Sequence, residues 1–301
     1  NALTRQCSVS ITGVSFGDGS IWTATGDDAC EALPAGKAQT LSDDMLFQFK
    51  SDLNSEHIGA AAKTKKRNII IVSVLAVAVA AALVFTLVIQ PKQKYAAALE
   101  AKFTVGNTMT FGSYEQDNNT SNGAEAIEWL VLAREGDRAL VISVDCLDCV
   151  QYHTERTATT WETSTLRTWM NDTFLNTAFT QTEQQAIPTV PITTPKNPKY
   201  GTDPGNDTKD KVFCLSIQEA ESLFSSDRAR QSKPTPYAEK QGAYTDDDGY
   251  GSWWLRSPGV LQCDAASVVS DGSVYRDGWN VGDDNTAVRP ALWLDLTSGI
   301  F

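Results

Sequence analysis

The best-spaced reactive side chains in the sequence are two cysteines, Cys146 and Cys149, with His153 four residues further on. Thiolate and imidazole are the ligands that Zn²⁺ prefers, so this spacing supplies three of the four ligands of a structural zinc site. No fourth Cys or His stands nearby in the sequence. A zinc site, a local disulfide and a pair of buried thiols therefore stay open as interpretations. We expect no bound metal and no cofactor.

Nucleophilic catalysis has little support. An activated nucleophile needs an adjacent base and a third group that orients that base. The chain holds only two histidines, His57 and His153, and neither has a partner suggested by spacing. We therefore predict that the protein is not an enzyme.

Two runs of carboxylates raise the question of calcium. Asp246, Asp247 and Asp248 are consecutive, and so are Asp283 and Asp284. Calcium needs six to eight oxygens that converge on one point. Neither run has the further carboxylates and amides of such a site beside it, so acidic turns facing solvent are the favoured interpretation.

The segment that decides the organisation of the chain is residues 69–89, which are apolar and carry no charge. As a helix they would span about 31 Å, the thickness of the hydrocarbon core of a bilayer. We predict a transmembrane helix at residues 68–90. A buried core helix would be shorter and carry a polar face. The apolar run is also too long for a signal peptide.

The charges beside this segment predict its orientation. Lys63, Lys65, Lys66 and Arg67 precede it, whereas Lys92 and Lys94 are the only basic residues that closely follow it. The positive-inside rule then places the N-terminus in the cytoplasm and the C-terminal part outside the cell membrane. The protein would be single-pass.

The whole chain is acidic, with 37 Asp and Glu against 25 Lys and Arg and a net charge of −12. Phosphate backbones would repel it, so we predict no nucleic-acid partner. The predicted organisation is a poorly defined N-terminal cytoplasmic region at 1–60, the membrane helix, a stalk at 91–102 and an extracellular domain at 103–301. Within the first region Cys7 and Cys30 could meet, and short apolar runs between Gly and Asp could form two or three strands.

The extracellular part has the pattern of an α+β fold. Alternating apolar runs separated by turn residues predict strands at 103–111, 127–133, 138–144, 253–259, 266–269, 272–275 and 287–294. Apolar side chains at three- and four-residue steps predict a helix that begins at Thr163 or Ser164. Two capping boxes, Thr180 with Glu183 and Ser216 with Glu219, predict two shorter helices. Residues 188–210 are predicted to be a loop.

Six motifs in this part together resemble one family. They are FGSYEQD at 111–117, IEWLVL at 127–132, TTWETSTLRTWMNDTFLNTAF at 159–179, WWLRSPG at 253–259, DGSV at 271–274 and AVRPALWL at 287–294. They resemble the bacterial extracellular domains of the domain-of-unknown-function 6273 family, over about residues 103–296. The resemblance implies a C-type-lectin-like fold, in which two helices flank a small twisted antiparallel sheet and the first and last strands lie near each other. Trp253, Trp254 and Trp293 would then alternate between core and surface.

The same fold carries the variable proteins of diversity-generating retroelements and the formylglycine-generating oxidases. The variable proteins place a variable, solvent-facing stretch where this chain has residues 259–287. Polar and aromatic side chains between rigid apolar positions are typical of a binding face. The candidate ligand-binding residues are Gln262, Asp264, Tyr275, Arg276, Asp277, Trp279, Asn280, Asp283, Asp284 and Asn285, with Tyr244, Tyr250 and Trp253 beside them.

The function expected from this resemblance is recognition of a protein or glycan ligand at the cell surface by a membrane-anchored domain. A diversified variable protein of a retroelement is one form of that function. A structural or envelope spacer without a specific ligand is the alternative. An oxidase of the formylglycine-generating type is a third, disfavoured one, because only Cys263 lies in the matching C-terminal region.

Overall fold

The computed structural model describes residues 13–15, 21–23, 73–74 and 77–301. In the first of two units, Asn1–Leu83, the described strands β1 (Gly13–Ser15) and β2 (Ile21–Thr23) pair antiparallel, as the sequence predicts for this region. The proposed meeting of Cys7 and Cys30 and the basic residues at 63–67 lie outside the described residues.

One helix, Val77–Lys102, is long and apolar enough to cross a membrane by its length and composition. It overlaps the predicted span and continues into the predicted stalk as α1 (Gln90–Lys102). The turns at Phe85–Ile89 are widened to a π-helix, in which the N–H of Gln90 donates to the carbonyl of Phe85. Pro91 explains the widening, because its ring would clash with the carbonyl four residues earlier in a regular α-helix.

The second unit, Val84–Phe301, contains two five-stranded sheets. The first has the order β3-β4-β5-β14-β9 and the second the order β12-β11-β10-β13-β6. The strands are β3 (Thr108–Tyr114), β4 (Glu125–Glu135), β5 (Arg138–Ser143), β6 (Asp148–Cys149), β7 (Val190–Ile192), β8 (Thr208–Asp210), β9 (Val212–Phe213), β10 (Trp253–Pro258), β11 (Asp264–Val268), β12 (Val274–Asn280), β13 (Ala287–Val288) and β14 (Ala291–Asp295). Strands β7 and β8 form a separate pair.

Short helices connect and cover these sheets. They are α2 (Thr165–Trp169), α3 (Leu175–Ala178), α4 (Ile217–Leu223), α5 (Asp227–Arg230) and α6 (Pro236–Gln241), with a π turn at Met170–Phe174 and a 3-10 turn at Glu183–Ala186. Ser164 caps α2, and the capping box of Ser216 with Glu219 is present at α4. The mixed α+β class predicted from the sequence is confirmed. The architecture has two sheets where the resemblance implied one small sheet.

Several boundaries differ from the sequence prediction: β4, β11 and β12 are shifted by two or more residues at one end or both, and three further differences have a structural reason. The first strand begins at Thr108 because Phe103 still caps α1 by donating its N–H to Leu99. The predicted loop at 188–210 contains β7 and β8. The predicted strand at 287–294 is divided between the two sheets, since Pro290 lacks the N–H that an uninterrupted ladder would need.

The tryptophans of the WWLRS motif do not alternate between core and surface. Trp253 and Trp254 are both completely buried, whereas Trp293 is partly exposed. Both faces of β10 are therefore covered, and its six residues are all buried. Trp253 cannot contact a ligand from this position.

Two arginines of the resemblance motifs, Arg256 and Arg289, are also buried and connect distant parts of the chain. Arg256 donates to both carboxylate oxygens of Glu219 and to the carbonyls of Cys214 and Thr193. Arg289 lies between the rings of Trp253 and Phe224 and donates to the carbonyls of Ser143 and Arg230. Burial lowers the pKa of Arg289 to about 10. These side chains fix the interior that supports the candidate site.

Candidate functional site

Most of the candidate residues lie on or next to the hairpin of β11 and β12, at the edge of the second sheet. Ala265 pairs with Trp279, and Ser267 pairs with Tyr275. Three residues of β12 thus stand opposite one residue of β11, which is a bulge. Ala265 and Ser267 are two residues apart and therefore share a face of the sheet. Their partners across the ladder, Trp279 and Tyr275, share one face as well.

The bulge depends on Gly278. Its φ is +79°, and a Cβ there would lie 2.5 Å from the carbonyl oxygen of Ala265. Only glycine tolerates that backbone and that approach. The result is a ring pair, with the centroids of Tyr275 and Trp279 4.8 Å apart. We call Tyr275 and Trp279 the aromatic pair.

The aromatic pair is accessible to solvent next to further exposed apolar side chains. Trp279 is 41 % exposed and Leu261 is 56 % exposed. Val260 is exposed too, and its N–H donates to the carbonyl of Asp277 at 2.7 Å. Exposed apolar side chains that cluster in this way mark interaction sites more often than isolated ones do.

Two ion pairs connect the bulge to residues outside the hairpin. Arg276 pairs with Glu221 of α4. Asp277 accepts hydrogen bonds from Lys199 at 2.8 Å and from the hydroxyl of Tyr200. The bond from Lys199 holds the pKa of Asp277 below its ordinary value, and the same bond raises the pKa of Lys199 to about 12.

The polar groups of other candidate residues form hydrogen bonds within the chain. Gln262 donates to the carbonyls of Thr159 and Asp203, and Asn280 both donates to the carbonyl of Cys263 and accepts from the N–H of Gly282. The carbonyl of Asp264 accepts from Gly259 at 2.7 Å. These contacts stabilise the ends of the hairpin.

The remaining three candidates form a turn after β12, which we call the acidic turn (Asp283, Asp284 and Asn285). The N–H of Asp283 donates to the carbonyl of Asn280, and the carboxylate of Asp283 accepts from Thr286. Asp284 and Asn285 are exposed. The carbonyl of Asn285 accepts from the N–H of Tyr244, whose side chain is 50 % exposed. The candidates therefore divide between the hairpin and the acidic turn.

The cysteines and the histidine do not assemble a zinc site. Among residues 77–301, the only three potential ligand groups that come within 4.8 Å of one another are Glu115, Asp117 and Glu125. The thiols of Cys146 and Cys149 are free, and Nδ1 of His153 accepts the N–H of Thr165 at the start of α2.

Burial raises the pKa of these thiols. It is about 11 for Cys146 and about 12 for Cys214. The pKa of Cys149 is raised to about 12 by burial and then by the charges of Asp148, Asp283 and Asp284. Thiols with such values stay protonated at neutral pH, and a protonated thiol is a poor nucleophile.

The carboxylates that could have bound a cation accept backbone hydrogen bonds within their own turns. Glu115, Asp117 and Glu125 accept backbone N–H groups from residues 116–119. Asp246 accepts the N–H groups of Asp248 and Tyr250, which lowers its pKa. The acidic turns predicted at 246–248 are thus stabilised by the backbone itself.

Sequence reasoning missed the residues that reach the hairpin from elsewhere in the chain. Lys199 and Tyr200 belong to the predicted loop, and Glu221 to a helix predicted only from its cap. Their partners, Asp277 and Arg276, stand 78 and 55 residues away from Lys199 and Glu221. No local pattern signals such contacts.

The chain matches the family described as Domain of unknown function (DUF6273) over residues 136–296, which is more than half of its length. The chain belongs to this family. The matched region contains the hairpin, the acidic turn and the buried Arg256 and Arg289. No curated protein and no solved structure matches the chain.

Proposed function

We propose that the protein is a membrane-anchored recognition protein that binds a protein or glycan ligand at the cell surface. Residues 68–90 would cross the bilayer, and residues 103–301 would form an extracellular C-type-lectin-like domain. The observation that carries the proposal is the aromatic pair on the edge strand β12, where Trp279 is exposed and Tyr275 partly exposed, beside the largely buried strand β11.

The physical argument concerns the entropy of binding. Tyr and Trp offer a large contact area and lose little conformational freedom when bound. Here the backbone beneath them is held by the ladder of β12 to β11, with the bulge at Gly278 setting the spacing of the two rings. A preorganised face of this kind spends little of its interaction energy on ordering.

The membrane part of the proposal is supported by the apolar helix Val77–Lys102 and by the basic residues at 63–67. Protease added to intact cells tests the orientation. We expect the C-terminal domain to be digested and residues 1–60 to survive. Digestion of residues 1–60 with survival of the C-terminal domain would reverse the proposed topology.

The lectin-like part is supported by the α+β architecture and by the place of the hairpin along the chain, after β10 and before β13. In the variable proteins of diversity-generating retroelements, which share the fold that the family resemblance implies, the variable stretch occupies this place. The DNA context tests whether the face is diversified. A nearby reverse-transcriptase gene with an imperfect copy of the stretch coding for 259–290 is expected for a diversified binder, and their absence would remove that part of the proposal.

We propose no catalytic activity and no cofactor. The raised pKa values of Cys146, Cys149 and Cys214 argue against thiol-based catalysis, which requires the thiolate. An oxidase of the formylglycine-generating type is accordingly the least supported alternative. Oxidation of a Cys-containing peptide by the purified protein would overturn this part.

A double variant separates recognition from the spacer alternative. Tyr275→Ser with Trp279→Ser removes the aromatic pair and leaves Asn280 and the ion pairs in place. Val105→Ser, which removes an exposed apolar side chain elsewhere, is the control. The measurements are a thermal melt of each variant and a pull-down from surface extracts of neighbouring cells, with and without prior glycosidase treatment.

We expect both proteins to stay folded, since exposed substitutions usually cost within about 0.5 kcal/mol. The double variant should lose its captured partner and the control should keep it, because a few aromatic anchors commonly carry most of the binding energy of an interface. If the double variant keeps every partner, the domain is a spacer. If it unfolds, the two rings are packing residues and the face is misplaced.

A further inference from the structure

A cavity of about 440 Å³ lies beside the turn that joins β11 to β12. The side chain of Gln231, which lines it, donates to the carbonyl of Ser270 in that turn at 3.0 Å. Small-molecule sites have volumes of about 300–1,000 Å³, and most of them are lined by apolar side chains. This cavity is lined mainly by polar side chains, so the ligand that suits it is a polar small molecule. The lining residues are Arg228, Gln231, Asp248 and Tyr250.

One wall of the cavity is α5, which carries Arg228. The buried Arg230 of the same helix donates to the carbonyl of Gly272 at 2.8 Å and pairs with Asp227. A Cβ at Gly272, where φ is +84°, would clash with the carbonyl oxygen of Asp227. The turn between β11 and β12 therefore lies directly against α5 and fixes the backbone that presents Arg228.

The other wall is the turn that carries Asp248 and Tyr250. The carboxylate of Asp246 accepts the N–H of Asp248 at 3.1 Å and that of Tyr250 at 2.8 Å. Just after this turn, the N–H of Gly251 donates to the carbonyl of Ser232 at 3.0 Å, which joins the two walls. The cavity is thus held open by backbone contacts, and a ligand that enters it orders little of the chain.

The cavity is lined by one positive and one negative side chain. Arg228 and Asp248 are both exposed, and within residues 77–301 neither forms an ion pair with the other or with a third residue. A purely anionic ligand would be repelled by the carboxylate of Asp248, and a purely cationic one by the guanidinium of Arg228. A ligand that carries both charges is attracted by both side chains. Complementarity of charge therefore favours a zwitterion.

Tyr250 and Gln231 add an aromatic surface and a neutral acceptor. The ring of Tyr250 is held by the ammonium of Lys233, which lies 5.0 Å from the ring centroid. Such a ring offers contact area to an aromatic side chain of the ligand. Gln231 donates an amide N–H to Ser270, and its amide oxygen can accept an N–H from an ammonium group.

We propose that this cavity binds a free α-amino acid. Its carboxylate would be bound by Arg228, its ammonium by Asp248 and Gln231, and its side chain would pack against Tyr250. Arginine is suited to the first role because its guanidinium can donate two parallel hydrogen bonds to one carboxylate. The inference goes beyond the proposed recognition function and does not depend on the aromatic pair.

The probe is L-phenylalanine, compared with two analogues that each lack one charge. Phenethylamine lacks the carboxylate, and 3-phenylpropionate lacks the ammonium. Binding to the full chain in detergent is measured by ligand-observed NMR titration up to about 50 mM. We expect L-phenylalanine to bind at least about tenfold more tightly than either analogue. D-glucose, a polar ligand without charge, should not bind.

Two variants with matched controls locate the two charges. Arg228→Gln should weaken binding of L-phenylalanine about fivefold or more and leave phenethylamine within about twofold, because that analogue has no carboxylate. Asp248→Asn should weaken L-phenylalanine likewise and leave 3-phenylpropionate within about twofold. The controls Arg156→Gln and Asp247→Asn remove exposed charges that do not line the cavity, and both should stay within about twofold. A thermal melt verifies that all four variants stay folded.

Several outcomes would overturn the proposal. They are absence of L-phenylalanine binding up to about 50 mM, equal binding of the analogues, and equal losses from the lining and control variants. Binding of D-glucose in place of L-phenylalanine, with dependence on Arg228 and Asp248, would assign the cavity to a neutral sugar instead. Tyr275→Ser with Trp279→Ser should leave L-phenylalanine binding unchanged. A failure of the recognition proposal would thus appear in the pull-down alone, and a failure of this one in the titration alone.

Discussion

Replacing Glu219 by Gln should destabilise the C-terminal part of the chain by about 2 kcal/mol. Glu219 pairs with Arg256, which is only 2 % exposed and lies in the buried strand β10. Breaking a fully buried pair costs about 3–5 kcal/mol because a charge is left without its counterion. A third of the Glu219 side chain is in contact with solvent, and Arg256 keeps its bonds to two carbonyls, so the cost is smaller here. The expected loss of stability therefore lies in the range for losing hydrogen bonds to a charged group, about 1.5–3 kcal/mol.

The exposed pair two residues further along the same helix is the control. Glu221→Gln removes the partner of Arg276, whose side chain is 41 % exposed. Exposed ion pairs contribute about 0–1 kcal/mol to stability, so the free energy of unfolding of this variant should lie within about 0.5 kcal/mol of that of the parent. Gln at position 219 keeps an oxygen that can accept the N–H of Ser216, so the cap of α4 is retained.

Urea unfolding followed by tryptophan fluorescence measures both variants. Seven of the eight Trp residues lie beyond residue 102, so the signal reports on this part of the chain. If the two variants lose the same stability, or if Glu219→Gln costs less than about 0.5 kcal/mol, then the pair with Arg256 does not hold α4 on β10 and the reasoning is refuted.

Three further predictions follow from burial and charge. Trp254→Ala should lower the free energy of unfolding by about 3–5 kcal/mol, as expected for a large core side chain, and the same change at the partly exposed Trp293 should lower it clearly less. Equal losses of stability in urea unfolding would contradict the burial argument. Burial raises the pKa of Asp148, so between the ordinary and the raised pKa the folded state binds more protons than the unfolded state. The free energy of unfolding should therefore fall as pH rises through that range, and Asp148→Asn should flatten this slope. An unchanged pH profile in the variant would show that Asp148 is not the cause of the slope. A fragment of residues 100–301 should be soluble and melt cooperatively, since the two sheets and their core lie within it; aggregation rescued only by adding residues 1–60 would show that the N-terminal region belongs to the fold.

The features that the sequence determined by itself are local. Ser216 and Glu219 are three residues apart, and the capping box between them needs no information from the rest of the chain. The hairpin at 127–144 and the one beyond Asp264 follow from alternating apolar residues around short polar turns. The apolar run at 69–89 likewise predicts a helix of membrane-spanning length from composition alone.

The assignment of strands to sheets was decided only by the tertiary structure. The sequence predicts one strand at 287–294, but the chain leaves one sheet after Val288 and enters the other at Ala291. Burial of both Trp253 and Trp254 was likewise not evident, because alternation describes a strand with one solvated face and β10 has none.

The candidate site shows the same division. The types of Tyr275 and Trp279 and their place in the chain indicate a binding face, yet their contact depends on a bulge at Gly278 and on the pairing of β12 with β11. The ion pair of Asp277 with Lys199 joins residues 78 apart. Caps, turns and periodic patterns are encoded within a few residues, whereas contacts between distant residues depend on which elements become neighbours, and that is set by burial of the whole core.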